Sequence, residues 1–145
     1  MLFDLFDQDS MNLPSHTTNI YWLYAYRKTR QDECFYPKDT SRVGKWLIFS
    51  DMNIIDYDWE IIKDATEKGY LGNVSKVSTA RPNSHSHDSK VGVICVYTYD
   101  SDDRNDIMDI RETLYQLGFV NTLCYKTDQT TKDGKYGPGV SEYVI

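Results

Sequence analysis

Several residue classes are scarce in this chain, and each scarcity excludes something. There are three cysteines, Cys34, Cys95 and Cys124, in no CxxC spacing. An odd set of that kind disfavours a disulfide framework, and Cys95, inside the apolar run Val93-Ile94-Cys95-Val96, reads as a core residue. No run approaches the roughly 20 apolar residues that a spanning helix needs, so no membrane partner is expected. The opening stretch, Met1-Leu2-Phe3-Asp4-Leu5-Phe6-Asp7, is acidic where a signal peptide would be basic, and the expected compartment is the cytoplasm. Positive charge is also in deficit, with a net charge of −6 and a pI of about 4.9. Proteins that track a nucleic-acid backbone carry a basic face and a high pI, so long nucleic acid is not an expected partner. An acidic exterior still leaves room for a small basic cleft, because charge in a cleft acts locally. Walker A, GxGxxG and GxSxG patterns are absent, and Gly134-Lys135 and Gly137-Pro138-Gly139 sit at no strand-to-helix step. No cofactor is expected.

What is present is aromatic. Twelve tyrosines stand among 145 residues, and Tyr suits half-buried strands and wet pockets alike. A chain of this length buries about 68–70% of its unfolded surface and has room for one core. The reading is an N-terminal arm over residues 1–16, docked on the body or on another subunit, followed by a single α+β domain over residues 17–145. Docking on another subunit would make a homo-oligomer through the arm.

Asn19 to Arg27 is aromatic and well bounded, and period two places Trp22, Tyr24 and Tyr26 on one face of a strand. Gly44–Asp51 is a second strand, Ser75–Arg81 a short third and Val91–Asp100 a fourth. The continuous apolar start of the fourth suggests a central position. Thr122–Thr127 is a last strand, and the tail is expected as loop until Tyr143-Val144-Ile145. Asp56 or Asp58 is positioned to cap a helix that runs to about Lys68, with Trp59, Ile62, Ala65 and Thr66 on one face and Gly69 as its stop. Asp102 or Asp103 opens a second helix bearing Ile107, Ile110, Leu114 and Leu117, ended by Gly118. Paired strands with few helices favour a mainly antiparallel sheet covered on one face.

The candidate site is basic and aromatic. Arg27, Arg42, Lys45, Lys76, Arg81 and Lys126 all fall on strands or at strand ends, where a long cation is costly to bury without an anion. Arg forks match phosphate geometry and Lys adds point charge. Trp22, Trp46, Tyr97 and Tyr99 are candidates for stacking on a base. The plain alternatives are pairing with the many carboxylates for the cations and a place in the core for Trp22 and Trp46. His85-Ser86-His87-Asp88 falls short of a zinc site, having no third ligand at proper spacing. His16-Thr17-Thr18 and His87-Asp88-Ser89 fit the H-x-[ST] pattern of two-histidine phosphodiesterases, but the second lies in a polar loop.

The runs Arg42–Phe49, Ala65–Gly72, Lys76–Asn83, Val93–Asp100 and Tyr125–Asp128 together resemble the basophilic-leukaemia-expressed protein family. Its small prokaryotic members often carry a phosphothreonine lyase label. The resemblance spans roughly residues 20–136. It implies a fold similar to the cap-binding translation initiation factor, a curved antiparallel sheet backed on one face by two or three helices. It also implies a nucleotide or phosphate site on the concave face. The lyase label implies β-elimination with a Lys base, for which Lys45, Lys76 or Lys126 is available, and a His acid. The expected function is binding, in the form of sequestration or otherwise, of a small phosphorylated ligand of nucleotide type by Arg27, Arg42, Lys45, Trp46, Lys76, Arg81, Tyr97, Tyr99 and Lys126. A lyase or phosphodiesterase and a protein-interaction module are the alternatives.

Overall fold

Period-two alternation in six short segments resolves into one antiparallel sheet. The computed structural model describes residues 12–28, 35–82, 89–128 and 142–145. Its strands are β1 (Trp22–Tyr26), β2 (Gly44–Asp51), β3 (Val74–Ser78), β4 (Val91–Thr98), β5 (Cys124–Thr127) and β6 (Tyr143–Val144). They lie in the order β1-β3-β4-β2-β5-β6, and every neighbouring pair is antiparallel. β4 is central, as its apolar start suggested, and β1 is an edge. The third strand is shorter than expected, ending at Ser78, and the next residue, Thr79, donates its hydroxyl to the Ile20 carbonyl.

Two helices, α1 (Ile55–Glu67) and α2 (Arg104–Gln116), cover one face of this sheet. Helical spacing puts Ile55, Trp59, Ile62, Ala65 and Thr66 of α1 inside, and Ile107, Ile110 and Leu114 of α2. Against them strand parity aims Trp46, Ile48, Val77, Ile94, Val96 and Tyr125, all buried. Asp103 caps α2 by accepting from the Asp106 N–H at 3.1 Å. α1 is different, since its N-cap is Ile54 and no side chain caps it. Asp56 and Asp58 lie inside its first turn, where negative charge suits the helix terminus. Their carboxylates are engaged elsewhere: Asp56 accepts from the Ser15 N–H at 2.9 Å and Asp58 from the Ser50 hydroxyl at 2.8 Å. Gly69 and Gly118 follow the helices at φ 85° and 107°, a backbone region open mainly to glycine.

Pro14–His16 forms a 3₁₀ turn with Pro14 buried, and the Pro14 carbonyl accepts from the Ala80 N–H at 3.0 Å. Residues 1–11 of the expected arm lie outside the described residues, as do Cys34, His85, His87, Asp88 and the glycines of the tail. No described helix is long and apolar enough to cross a membrane.

Candidate functional site

The side chains turned away from the helices form the second face of the sheet. On β2 they are Lys45, Leu47 and Phe49, alternating with the buried Trp46 and Ile48. Register then fixes their neighbours. Lys45 stands opposite Tyr97 of β4 on one side and opposite Lys126 of β5 on the other. Lys76 of β3 stands opposite Cys95 of β4 and Tyr24 of β1. Trp22 and Tyr26 flank Tyr24 on the same face, with the two tyrosine rings stacked at 6.0 Å. Across the strands this face therefore runs from aromatics on β1, through Lys76, Cys95 and Tyr97, to Lys45 and Lys126.

The lysines are close enough to feel one another. Lys76 Nζ lies 3.8 Å from the centre of the Trp22 ring and 5.9 Å from that of Tyr97, and Lys45 Nζ lies 5.7 Å from the same Tyr97 ring. Lys45 and Lys126 are each only 7% exposed. Cations placed directly opposite one another across strands repel, and burial removes the water that would screen them. Asp128 relieves part of this by accepting from Lys45 Nζ at 2.9 Å. Lys76 pairs with no carboxylate among the described residues; its contacts are ring faces. Burial lowers its pKa below the usual lysine value, with the Lys45 charge acting in the same direction. Burial also lowers the pKa of Lys126, helped by Lys45. Cys95 behaves oppositely, its thiol pushed up to about 11 by burial although Lys76 and Lys45 pull it down, so it is a neutral thiol at pH 7. The Tyr97 phenol is raised well above its ordinary value by burial.

Of the residues expected to meet at the site, Lys45, Lys76, Lys126 and Tyr97 share this face. The other five do not. Trp46 is turned to the helices with no exposed surface, and its Nε1 donates to the Ile107 carbonyl at 3.0 Å. Arg27 donates to the Leu71 carbonyl at 2.6 Å and lies over the Tyr36 ring. Arg42 is held by Asp100 and Asp102 at the mouth of β2. Arg81 donates to the Asn19 carbonyl at 2.8 Å and covers the Tyr21 ring. Tyr99 donates its hydroxyl to Asp103, which pushes its pKa up to about 12, and meets Tyr36 edge-on. A carbonyl, a carboxylate or a ring is within reach at each strand end, and those partners take the side chains first. Asp128 was not among the expected residues. It lies one residue past the end of β5, where its N–H donates to the Val43 carbonyl at 2.9 Å.

A separate groove of about 530 Å³ runs beside Ile48, Tyr57, Ile61, Phe119 and Leu123. No described Lys or Arg lines it. No group of three metal-binding side chains occurs among the described residues.

The model of the family described as basophilic leukemia-expressed protein Bles03 matches residues 37–132, more than half of the chain. The chain belongs to the Bles03 family. The matched span includes Lys45, Lys76, Tyr97 and Lys126 and leaves β1 with its aromatic residues outside. The fold is also that of translation factor eIF4E. Similarity extends to C. elegans eIF4E-3, solved in complex with the 4E-binding protein Mextli and a cap analog, at a TM-score of 0.65 and 15% identity. That alignment covers 99% of this chain and 80% of the other. Ascaris suum eIF4E-3, solved with m7G cap, aligns over 100% of this chain and 80% of its own at a TM-score of 0.59 and 14% identity. Among curated proteins no match is found.

Proposed function

We propose that the sheet face turned away from α1 and α2 binds a small phosphorylated ligand, a nucleotide by class. In this reading Lys45, Lys76 and Lys126 supply the positive charge for phosphate, and Trp22, Tyr24 and Tyr97 supply aromatic surface for the remainder. The observation that carries the reading is Lys76. Its ammonium is half-buried among rings with no described carboxylate at ion-pair distance, and it shares its face with two further lysines. An anion arriving there meets charges that the fold has already desolvated, and charge-assisted hydrogen bonds are then at their strongest. Three contacts of about 1.5–3 kcal/mol each are enough for micromolar affinity after the costs of association. The shared fold with eIF4E-3 structures that hold a cap or cap analog adds weight to the class of ligand, at the level of analogy.

The role this supports best is capture of the ligand. The lyase reading needs an acid beside the Lys base. His16 is exposed on the 3₁₀ turn, and the remaining two histidines lie outside the described residues.

Thermal-shift measurements against nucleotides and phosphoamino acids test the proposal. Binding at a hundredfold excess over Kd raises stability by about 2.7 kcal/mol. No shift with any phosphorylated compound, or an undiminished shift in Lys76→Ala, would overturn it. Mass spectrometry of the recovered ligand distinguishes capture, which returns it intact, from turnover.

A further inference from the structure

The functional groups of this face are sorted by strand, which gives the site a direction. Trp22, Tyr24 and Tyr26 occupy β1 at one edge, Lys76 the next strand, Cys95 and Tyr97 the third, Lys45 the fourth and Lys126 the fifth. Strands stand about 4.8 Å apart, so β1 and β5 are separated by about 19 Å, and β3 and β5 by about 14 Å. Lys76 also leans away from the other two lysines, its ammonium resting 3.8 Å from the Trp22 ring centre. Lys45 is turned to Asp128 and to the Tyr97 ring. A single phosphate on Lys76 is thus far from Lys126, and one on Lys45 and Lys126 is far from the aromatic edge. The cations are spread along a line instead of gathered in a cup.

From this arrangement, and resting on the binding function proposed above, we infer that the ligand is a nucleotide with two or more phosphates. It lies across the strands, with its base against Trp22 and Tyr24 and its phosphate chain running past Lys76 and Tyr97 toward Lys45 and Lys126. The middle of the path suits such a chain. Tyr97 has both Lys45 and Lys76 within 6 Å of its ring centre, so successive phosphates remain near a positive charge. The aromatic end is accessible, Tyr24 and Tyr26 being among the exposed large side chains. Sequence-tolerant stacking there leaves base identity less constrained than phosphate number.

Calorimetric titration with the mono-, di- and triphosphates of adenosine and guanosine, and with inorganic tripolyphosphate, tests the inference on the full chain. Affinity is expected to rise from mono- to triphosphate by about tenfold or more, the scale of one added charge-assisted contact. Lys126→Gln should shrink that ratio, weakening triphosphate binding more than monophosphate binding. Trp22→Ala should weaken nucleotides by about tenfold, within the range for loss of one stacking contact, and weaken tripolyphosphate by clearly less. Monophosphates that bind as tightly as triphosphates would overturn the inference and leave the phosphate-binding function standing. Equal weakening of nucleotide and tripolyphosphate by Trp22→Ala would overturn the direction of the ligand. Absence of binding by every compound would overturn the function and this inference together. Circular dichroism of both variants checks that they are folded, as expected for side chains outside the hydrophobic core cluster.

Discussion

Lys76 of β3 holds its ammonium over the Trp22 ring of β1, 3.8 Å from the ring centre. The contact joins the β1 edge, rich in exposed aromatics, to the cations of the sheet interior. A cation–π pair of this kind stabilises by about 0.5–1 kcal/mol or somewhat more when desolvated, whereas burial of the ammonium acts against it.

The balance makes stability depend on pH in a way that one comparison isolates. Because burial lowers the Lys76 pKa, the unfolded chain holds that proton more tightly than the folded chain. Stability contributed by this group therefore rises with pH, through the window from the lowered value up to about 10.4, where the unfolded lysine titrates. The expected outcome is that wild type gains on Lys76→Met when paired denaturant melts are moved from pH 7 to pH 10. A difference that stays flat would show that Lys76 is not desolvated.

Trp22 and Trp46 should part company completely under substitution. Trp46→Ala removes a fully buried indole packed at 5.2 Å against Tyr125 and should cost about 3–5 kcal/mol of stability. Trp22→Ala should cost much less in a urea melt and show its effect in nucleotide affinity. If Trp22→Ala proves as destabilising as Trp46→Ala, Trp22 belongs to the core.

Arg42 and Asp100 supply an acid-side prediction. The Arg42 guanidinium holds the Asp100 carboxyl below its ordinary value. A depressed carboxylate contributes stability that is fully present above about pH 3.9 and is lost as pH falls through the lowered folded value. Arg42→Ala should thus be less stable than wild type at pH 6, and the gap should close as pH falls through the lowered folded value of Asp100. Its nucleotide affinity should match wild type, since the pair stands apart from the lysine face; a lost affinity would return Arg42 to the site.

Gly72 is tested by a single methyl group. A Cβ there would lie 2.0 Å from the backbone oxygen of Tyr97, which is not the end of a flexible side chain and has little room to retreat. Gly72→Ala should destabilise by about 1–3 kcal/mol or more, as overpacking does, and should disturb Tyr97 in the middle of the proposed ligand path. A neutral result in thermal unfolding would mean that the β4 backbone shifts freely.

Much of the fold could be read from periodicity. Ile107, Ile110 and Leu114 follow helical spacing and are buried, and Asp103 caps the helix they belong to. Alternation also separated Trp22, Tyr24 and Tyr26 from their strand neighbours. What alternation leaves open is which face the helices will cover, and that choice sent Trp46 into the core and left Trp22 outside it. Strand-end arginines posed a second difficulty. Arg27, Arg42 and Arg81 have the same local signature as Lys45 and Lys76, yet each finds a carbonyl or carboxylate from a segment distant in sequence. Such partners depend on register and loop path, which short-range patterns do not encode. Asp56 and Asp58 missed their capping role for a similar reason, being drawn to Ser15 and Ser50.

Among the described strands β1 is hydrogen-bonded to the sheet through β3 alone. Edge strands of this kind open locally at a lower free energy than central ones. If the base of a ligand rests on β1, its residence time is coupled to the fraying of five residues and not to the unfolding of the core. Amide hydrogen exchange should then slow on ligand addition most strongly across residues 22–26, while the β4 amides, already protected, change little. A ligand of this site would act as a clasp on the edge of the sheet.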